Sequence, residues 1–181
     1  QSHAPISYAV FCLKKKMGLY SPQSNAFKPF QIVTHMFMHG GLAHIFFNMF
    51  ALYMFGRVLE QVWGGKRFLM YYFVTGLGAA FLHLLVGYLQ AKSLLADMPP
   101  QALEMIKTDG LEALREGKNY VNPDMAKVNA IINTPTVGAS GAVFGLLLGF
   151  GVLFPNAQLM LIFPPIPIKA KYFVIGYGAL E

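Results

Sequence analysis

Polar and apolar residues along this chain fall into blocks. No Asp, Glu, Lys or Arg occurs from Pro29 to Gly56, from Phe68 to Ala91, or from Val128 to Ile168. A helix needs roughly 20 predominantly apolar residues to cross a bilayer's hydrocarbon layer, and each block is long enough. The pattern predicts spanning helices over about 40–58, 67–90 and 137–154, with a fourth opening near Lys171. The expected fold class is all-α, a polytopic transmembrane helix bundle. The last apolar stretch, "YFVIGYGALE", is about ten residues long and so too short to cross, as is "APISYAVFCL" near the start. With no basic segment and cleavage site ahead of it, that first stretch is not a signal peptide either. The chain is therefore expected to be an inner portion of a longer bundle.

The segment 91–136 is the one region of mixed polarity. Within it, "NPDMAKVNAIIN" predicts a helix capped by Asn122, with Pro123 at its first position and Met125, Val128 and Ile132 on one face. A second short helix is predicted from Asp109, with Glu112 as a capping-box partner. The organisation expected is an outer loop region (1–39), two spanning helices joined by a short cytoplasmic loop (40–90), an extracytoplasmic helical insertion (91–136), a third spanning helix (137–154), and a cytoplasmic loop leading into the fourth (155–181).

Composition agrees with a membrane protein: 55% of the residues are hydrophobic and 12% charged, against roughly 25% charged in soluble domains. Lys and Arg orient it. Arg57, Lys66 and Arg67 face Glu60 alone in the 57–67 loop, and Lys169 and Lys171 lie in the 155–171 loop, so both loops are expected on the cytoplasmic side. The 91–136 segment carries five basic and six acidic residues and is expected outside. Lys14, Lys15, Lys16 and Lys28 run against this orientation. The net charge of +6 is read mainly as a topology signal. No basic helix with interleaved aromatics points to nucleic acid; the partner expected from composition is the lipid bilayer, and the location the cell membrane, as a multi-pass protein. Cys12 is the single cysteine, which excludes an intramolecular disulfide and a cysteine-based metal site. No cofactor is expected.

Polar residues inside the apolar blocks carry the candidate chemistry, because such side chains are costly in hydrocarbon. In "HGGLAHIFFNMFALYMFG", His44 and Asn48 are four apart and share a helix face; their packing alternative is a hydrogen bond to a neighbouring helix. His35 and His83 are assigned to packing. Ser140 stands in "GASGAVFG", downstream of Pro135, and is expected in the first turn of its helix. Backbone N–H groups there lack intrahelical partners and the helix dipole is positive, which suits a developing oxyanion. Gly138 and Gly141 on either side leave room for a substrate backbone. The alternative for Ser140 is a helix cap. Gly141, Gly145 and Gly149 recur every four residues as a smooth packing face.

Together these motifs resemble the rhomboid family of intramembrane serine proteases, over about 28–90 and 134–178. "HGGLAHIFFNMF" is similar to the family's second transmembrane helix, "GASG" to the opening of its fourth, and "GRVLEQVWGGKRFLMYY" to the connection into its third. The resemblance implies that Ser140 is the nucleophile and that His44 and Asn48, with the Ser140 amide, hold the oxyanion. His39 matches a histidine that buttresses the outer loop, and Phe144 an aromatic packed beneath the catalytic histidine. The implied substrates are transmembrane proteins, cut by a Ser-His dyad. The family's base histidine lies in a sixth helix, in a Gly-His-x-x-Gly-like setting, and is expected beyond the end of this chain. The 181 residues alone are therefore expected to be inactive. Where many members carry Trp-Arg in the outer loop, this chain reads Phe30-Gln31. The alternative function is a rhomboid-like pseudoprotease that binds transmembrane clients uncut; such relatives typically lose the serine or its glycines, and both are present. A transporter is disfavoured because the spans lack the charged residues of an ion relay.

Overall fold

The structure, a computed structural model, describes residues 17–160 and 167–180. Cys12 and Lys14–Lys16 lie outside the described residues. In chain order come α1 (Gln31–Thr34), a 3-10 turn (His35–Phe37), α2 (Leu42–Ala51), a π-helical turn (Leu52–Gly56), α3 (Arg57–Trp63) and α4 (Gly65–Leu95). Then follow α5 (Pro100–Thr108), α6 (Gly110–Arg115), α7 (Pro123–Asn133), α8 (Ser140–Leu153), strands β1 (Gln158–Met160) and β2 (Pro167–Lys169), and α9 (Ala170–Leu180). The fold is all-α apart from the small antiparallel pair, in which Leu159 faces Ile168.

Leu42–Trp63 forms one continuous helical rod of 22 residues and α4 one of 31, and both are apolar enough to cross a membrane. Only 17% of the most apolar stretch of each is buried within the protein. A core helix of a soluble protein would hide that surface; here lipid is the medium that accepts it. The predicted 57–67 loop shrinks to a single residue. The helix runs through Arg57 to Trp63, and Gly64 alone, at φ 78°, breaks it before α4 starts. That left-handed conformation is cheap only for glycine.

The chain divides into two compact units. One gathers the described residues of Gln1–Gly40 with Ala79–Gly138. Its core is Ile106, Val128 and Ile132, all fully buried, with Leu94, Leu95, Met98, Tyr120 and Met125 packed around them. The predicted α7 is present, and Asn122 caps it by accepting from the N–H groups of Asp124 at 2.9 Å and Met125 at 3.1 Å. The predicted capping box at Asp109 does not form. Asp109 is itself αR and closes α5, so its side chain makes no cap, and Glu112 pairs with Arg115 instead. A buried amide network holds this unit together. Ser24 Oγ donates to Asn133 Oδ1 at 2.7 Å, while Asn133 Nδ2 donates to the Ile106 carbonyl at 2.8 Å and to Asn129 Oδ1 at 2.9 Å.

The other unit gathers Gly41–Gly78 with the described residues of Ala139–Glu181. Here α8 is central: α2, the π-helical turn, α3 and α9 all pack against it. Lipid tails are as apolar as leucine, so close approach and not the hydrophobic effect must hold such helices together. Gly145 and Gly149 provide it. A Cβ on Gly145 would fall 2.5–2.7 Å from the Thr75 side chain, and one on Gly149 would fall 3.0 Å from the Trp63 ring. Tyr71 Oη donates to the Gly145 carbonyl at 2.8 Å, and the Trp63 and Tyr71 rings meet edge to face at 4.9 Å. Gly151 likewise admits Val174 of α9.

Candidate functional site

Ser140 is the first residue of α8 and is exposed. The helix starts five residues after Pro135 because 134–139 is tied down elsewhere. Leu19 and Thr136 form an isolated antiparallel bridge, with N–H···O distances of 2.9 and 2.8 Å. The Gly138 N–H donates to the His35 carbonyl at 2.9 Å. Gly138 has φ 124°, a conformation open to glycine and strained for other residues, so backbone geometry alone already requires it there.

The capping alternative for Ser140 does not hold. The cap position falls on Ala139, which contributes no side-chain acceptor. The first-turn N–H groups of α8 therefore have no side-chain cap, at the positive end of a 14-residue helix. An anion at this point meets unspent donors and a favourable dipole.

His44 and Asn48 lie on α2, which packs against α8 in the same unit. Asn48 is 6% exposed and His44 half-buried. Asn48 Nδ2 donates to the His44 carbonyl at 2.8 Å, one turn back, which fixes the amide's rotation. Phe144 lies a turn along α8 from Ser140, and its ring rests 3.0 Å from where a Cβ on Gly178 of α9 would be. Gly141 follows Ser140 and is half-buried. His39 belongs to the other unit and is half-buried at the end of the segment that leads into α2.

Several contributors are not visible in the motifs. His35 is 4% exposed; its ring Nδ1 lies 3.0 Å from the Gln31 carbonyl, and its own carbonyl holds Gly138. Burial pushes its pKa below the ordinary histidine value, outweighing the hydrogen bonds to Gln31 and Ile32 that favour the charged form. His83 is exposed and its Nε2 lies 2.7 Å from Thr136 Oγ1 in the lead-in to Ser140. Gln31, of the Phe30-Gln31 pair, is buried: its Nε2 donates to the Ala26 carbonyl at 3.1 Å and its Oε1 accepts from the Lys28 N–H at 3.0 Å. No local pattern marks these roles: for His35 and Gln31 the partners are backbone groups, and for His83 the partner is the hydroxyl of Thr136, far along the chain. Among the described residues no cluster of His, Cys, Asp and Glu could hold a metal ion.

The family model described as the rhomboid domain matches residues 26–180. The chain belongs to the rhomboid family. This rhomboid chain is 26% identical over 136 residues to Rhomboid protein 1, mitochondrial, of Saccharomyces cerevisiae, covering 75% of the chain and 28% of that protein. It is 29% identical over 152 residues to RHOMBOID-like protein 12, mitochondrial, of Arabidopsis thaliana, covering 83% of the chain and 38% of the relative. RHOMBOID-like protein 6, mitochondrial, of the same plant is 36% identical over 55 residues, 30% of the chain and 18% of the relative. The rhomboid chain thus spans well under half the length of these relatives. No solved structure matches it. Membership makes it a membrane protein, and its two long, exposed apolar helices agree with that.

Proposed function

We propose that the protein containing this chain is an intramembrane serine endopeptidase acting on transmembrane proteins, with Ser140 as nucleophile. The observation that carries this reading is the exposed Ser140 at a helix start without a side-chain cap, on a helix packed against the one bearing His44 and Asn48. In the proposed reaction Ser140 Oγ attacks the scissile carbonyl. The negative charge that develops on its oxygen is held by the Ser140 N–H with the His44 and Asn48 side chains. Such preorganised donors are typically the largest single contribution to this chemistry. Removing the proton from Ser140 requires a base. No Gly-His-x-x-Gly occurs among the 181 residues, so the proposal assigns that step to the sixth-helix histidine of the family pattern. His39 serves as an outer-loop buttress in this reading, Phe144 as packing under the base, and Gly138 and Gly141 as room for the substrate strand.

The location we propose is the cell membrane, with the positive loops inward and 91–136 outside. Relatives carry "mitochondrial" in their names, and fractionation of cells expressing the tagged protein separates the two membranes. The catalytic proposal is tested by labelling the full-length protein with a fluorophosphonate. Labelling that maps to Ser140 and vanishes in Ser140→Ala supports it. A folded, full-length protein that takes no label at Ser140 is instead a non-cleaving client binder.

A further inference from the structure

A cavity of about 520 Å³ lies in the first unit, between the 24–31 segment and the junction of α5 with α6. Ligand pockets typically run to roughly 300–1,000 Å³ and combine apolar walls with a few convergent polar groups. This one has apolar walls from Ala26, Phe30 and Leu111, and three cationic side chains, Lys28, Lys107 and Arg115. No carboxylate is among its lining residues. Lys107 pairs with Glu104 and Arg115 with Glu112, but those glutamates are 69% and 63% exposed. Exposed pairs of this kind are weak and give way to a better anion. Lys28 pairs with no carboxylate among the described residues. Arginine offers a planar fork of donors to a phosphate, and lysine a mobile point charge.

What adjoins the cavity narrows the ligand further. Phe30, on its wall, is followed at helical spacing by Val33 and Phe37, and these are 54%, 45% and 55% exposed. Three large apolar side chains thus line one face directly beside a cationic hollow. A free phosphate would satisfy the cations and leave that stripe bare. An amphiphile with an anionic head and acyl chains satisfies both, and such molecules sit at the boundary between hydrocarbon and water. We propose that the cavity seats the phosphate of an anionic phospholipid, with Lys28, Lys107 and Arg115 around the headgroup and the acyl chains along Phe30, Val33 and Phe37. The site is separate from the chemistry proposed at Ser140 and does not depend on it.

The test uses the full-length protein in a neutral detergent, with its melting temperature followed during titration. The probes are dihexanoyl-phosphatidylglycerol, dihexanoyl-phosphatidylcholine and inorganic phosphate at matched ionic strength. A ligand that binds only the folded state raises the melting temperature saturably. Phosphatidylglycerol should do so, and phosphatidylcholine and inorganic phosphate should not over the same range. Lys28→Gln and Lys107→Gln should each raise the half-saturating phosphatidylglycerol concentration about tenfold, the size of one charge-assisted hydrogen bond at a partly wet site. Lys92→Gln, which removes an exposed α4 charge outside the cavity lining, should leave it unchanged. The proposal is overturned by no saturable shift with phosphatidylglycerol, by an equal shift with phosphatidylcholine, or by a shift that both cavity variants retain. An equal shift with inorganic phosphate also overturns it, and assigns the hollow to the free ion.

Discussion

The side-chain amide of Asn48 donates to the carbonyl of His44, one turn back on the same helix, at 2.8 Å. One of its two N–H bonds is thereby spent on orientation, and the other is the one an oxyanion would take. In the full-length protein, Ser140→Ala should abolish cleavage. Asn48→Ala and His44→Ala should each lower kcat by about 10²–10³, the usual cost of one oxyanion donor, with smaller changes in KM. Steady-state kinetics on a transmembrane substrate reads this directly. An Asn48→Ala enzyme with unchanged kcat but poor folded yield would reduce the amide to a packing element.

The Gly145 contact predicts a stability change. Gly145→Ala should destabilise by about 1–3 kcal/mol, the usual cost of overpacking, because its Cβ would run into Thr75. Combining it with Thr75→Ala should return part of that loss. Unfolding titrations in mixed detergent micelles measure both, and equal losses in single and double variants would show that the clash is elsewhere.

Asn133 joins three partners in the other unit. Asn133→Ala should cost about 1–3 kcal/mol for each buried group left without its partner, here the Ser24 O–H and Asn129 Oδ1, while the Ile106 carbonyl still accepts from the Asp109 N–H. Limited proteolysis of the 91–136 segment should accelerate accordingly. A cleavage rate equal to that of the parent chain would mean that the network is not what holds α5 to α7.

These elements show which parts of the fold can be read from sequence. The Asn122 cap and the Met125–Val128–Ile132 face are local patterns, and both are present as read. The start of α8 at Ser140 is not local. It depends on a bridge from Thr136 to Leu19 and a hydrogen bond from Gly138 to His35, both made to segments about a hundred residues away in the chain. The π-helical turn at Leu52–Gly56 is equally silent, because beyond Asn48 the chain is almost uniformly apolar up to Gly56 and Tyr53 alone carries a polar group by which to count turns. At the site, the residues whose side chains carry the candidate chemistry stand out in the motifs. Those that act through backbone atoms, such as His35, do not.

His35 predicts a pH dependence. Its pKa in the folded chain is lowered by burial, while the unfolded chain keeps a value near 6.5. Below that pH the unfolded state binds the extra proton, so stability should fall as pH drops through about 6.5 towards the lower folded value. Melting temperatures measured from pH 8 to pH 5 should show this decline, and His35→Gln should flatten it. A decline that the variant keeps in full would assign it to another group.

The orientation is tested by labelling. A cysteine at Asp109, which is exposed and makes no side-chain cap, should react with a membrane-impermeant maleimide in intact cells. Reaction only after the inner side is opened would invert the proposed topology. Asn119 is a poorer site, because its side chain accepts from Asn129 and donates to the Ala126 carbonyl.

The π-helical turn also changes how the first long helix should be compared with others. One extra residue is wound into that turn, so everything beyond it is rotated by about 100° relative to an uninterrupted α-helix. Asn48 and Leu59, eleven positions apart, would share a face in a plain helix; here they are out of phase. The half that carries His44 and Asn48 and the half that buries Leu59 and sets Trp63 edge to face against Tyr71 thus keep separate angular registers. An insertion or deletion within Leu52–Gly56 would re-aim the second half and leave the four-residue interval of the first intact. Spacings counted across that turn therefore carry no information about which side chains face one another.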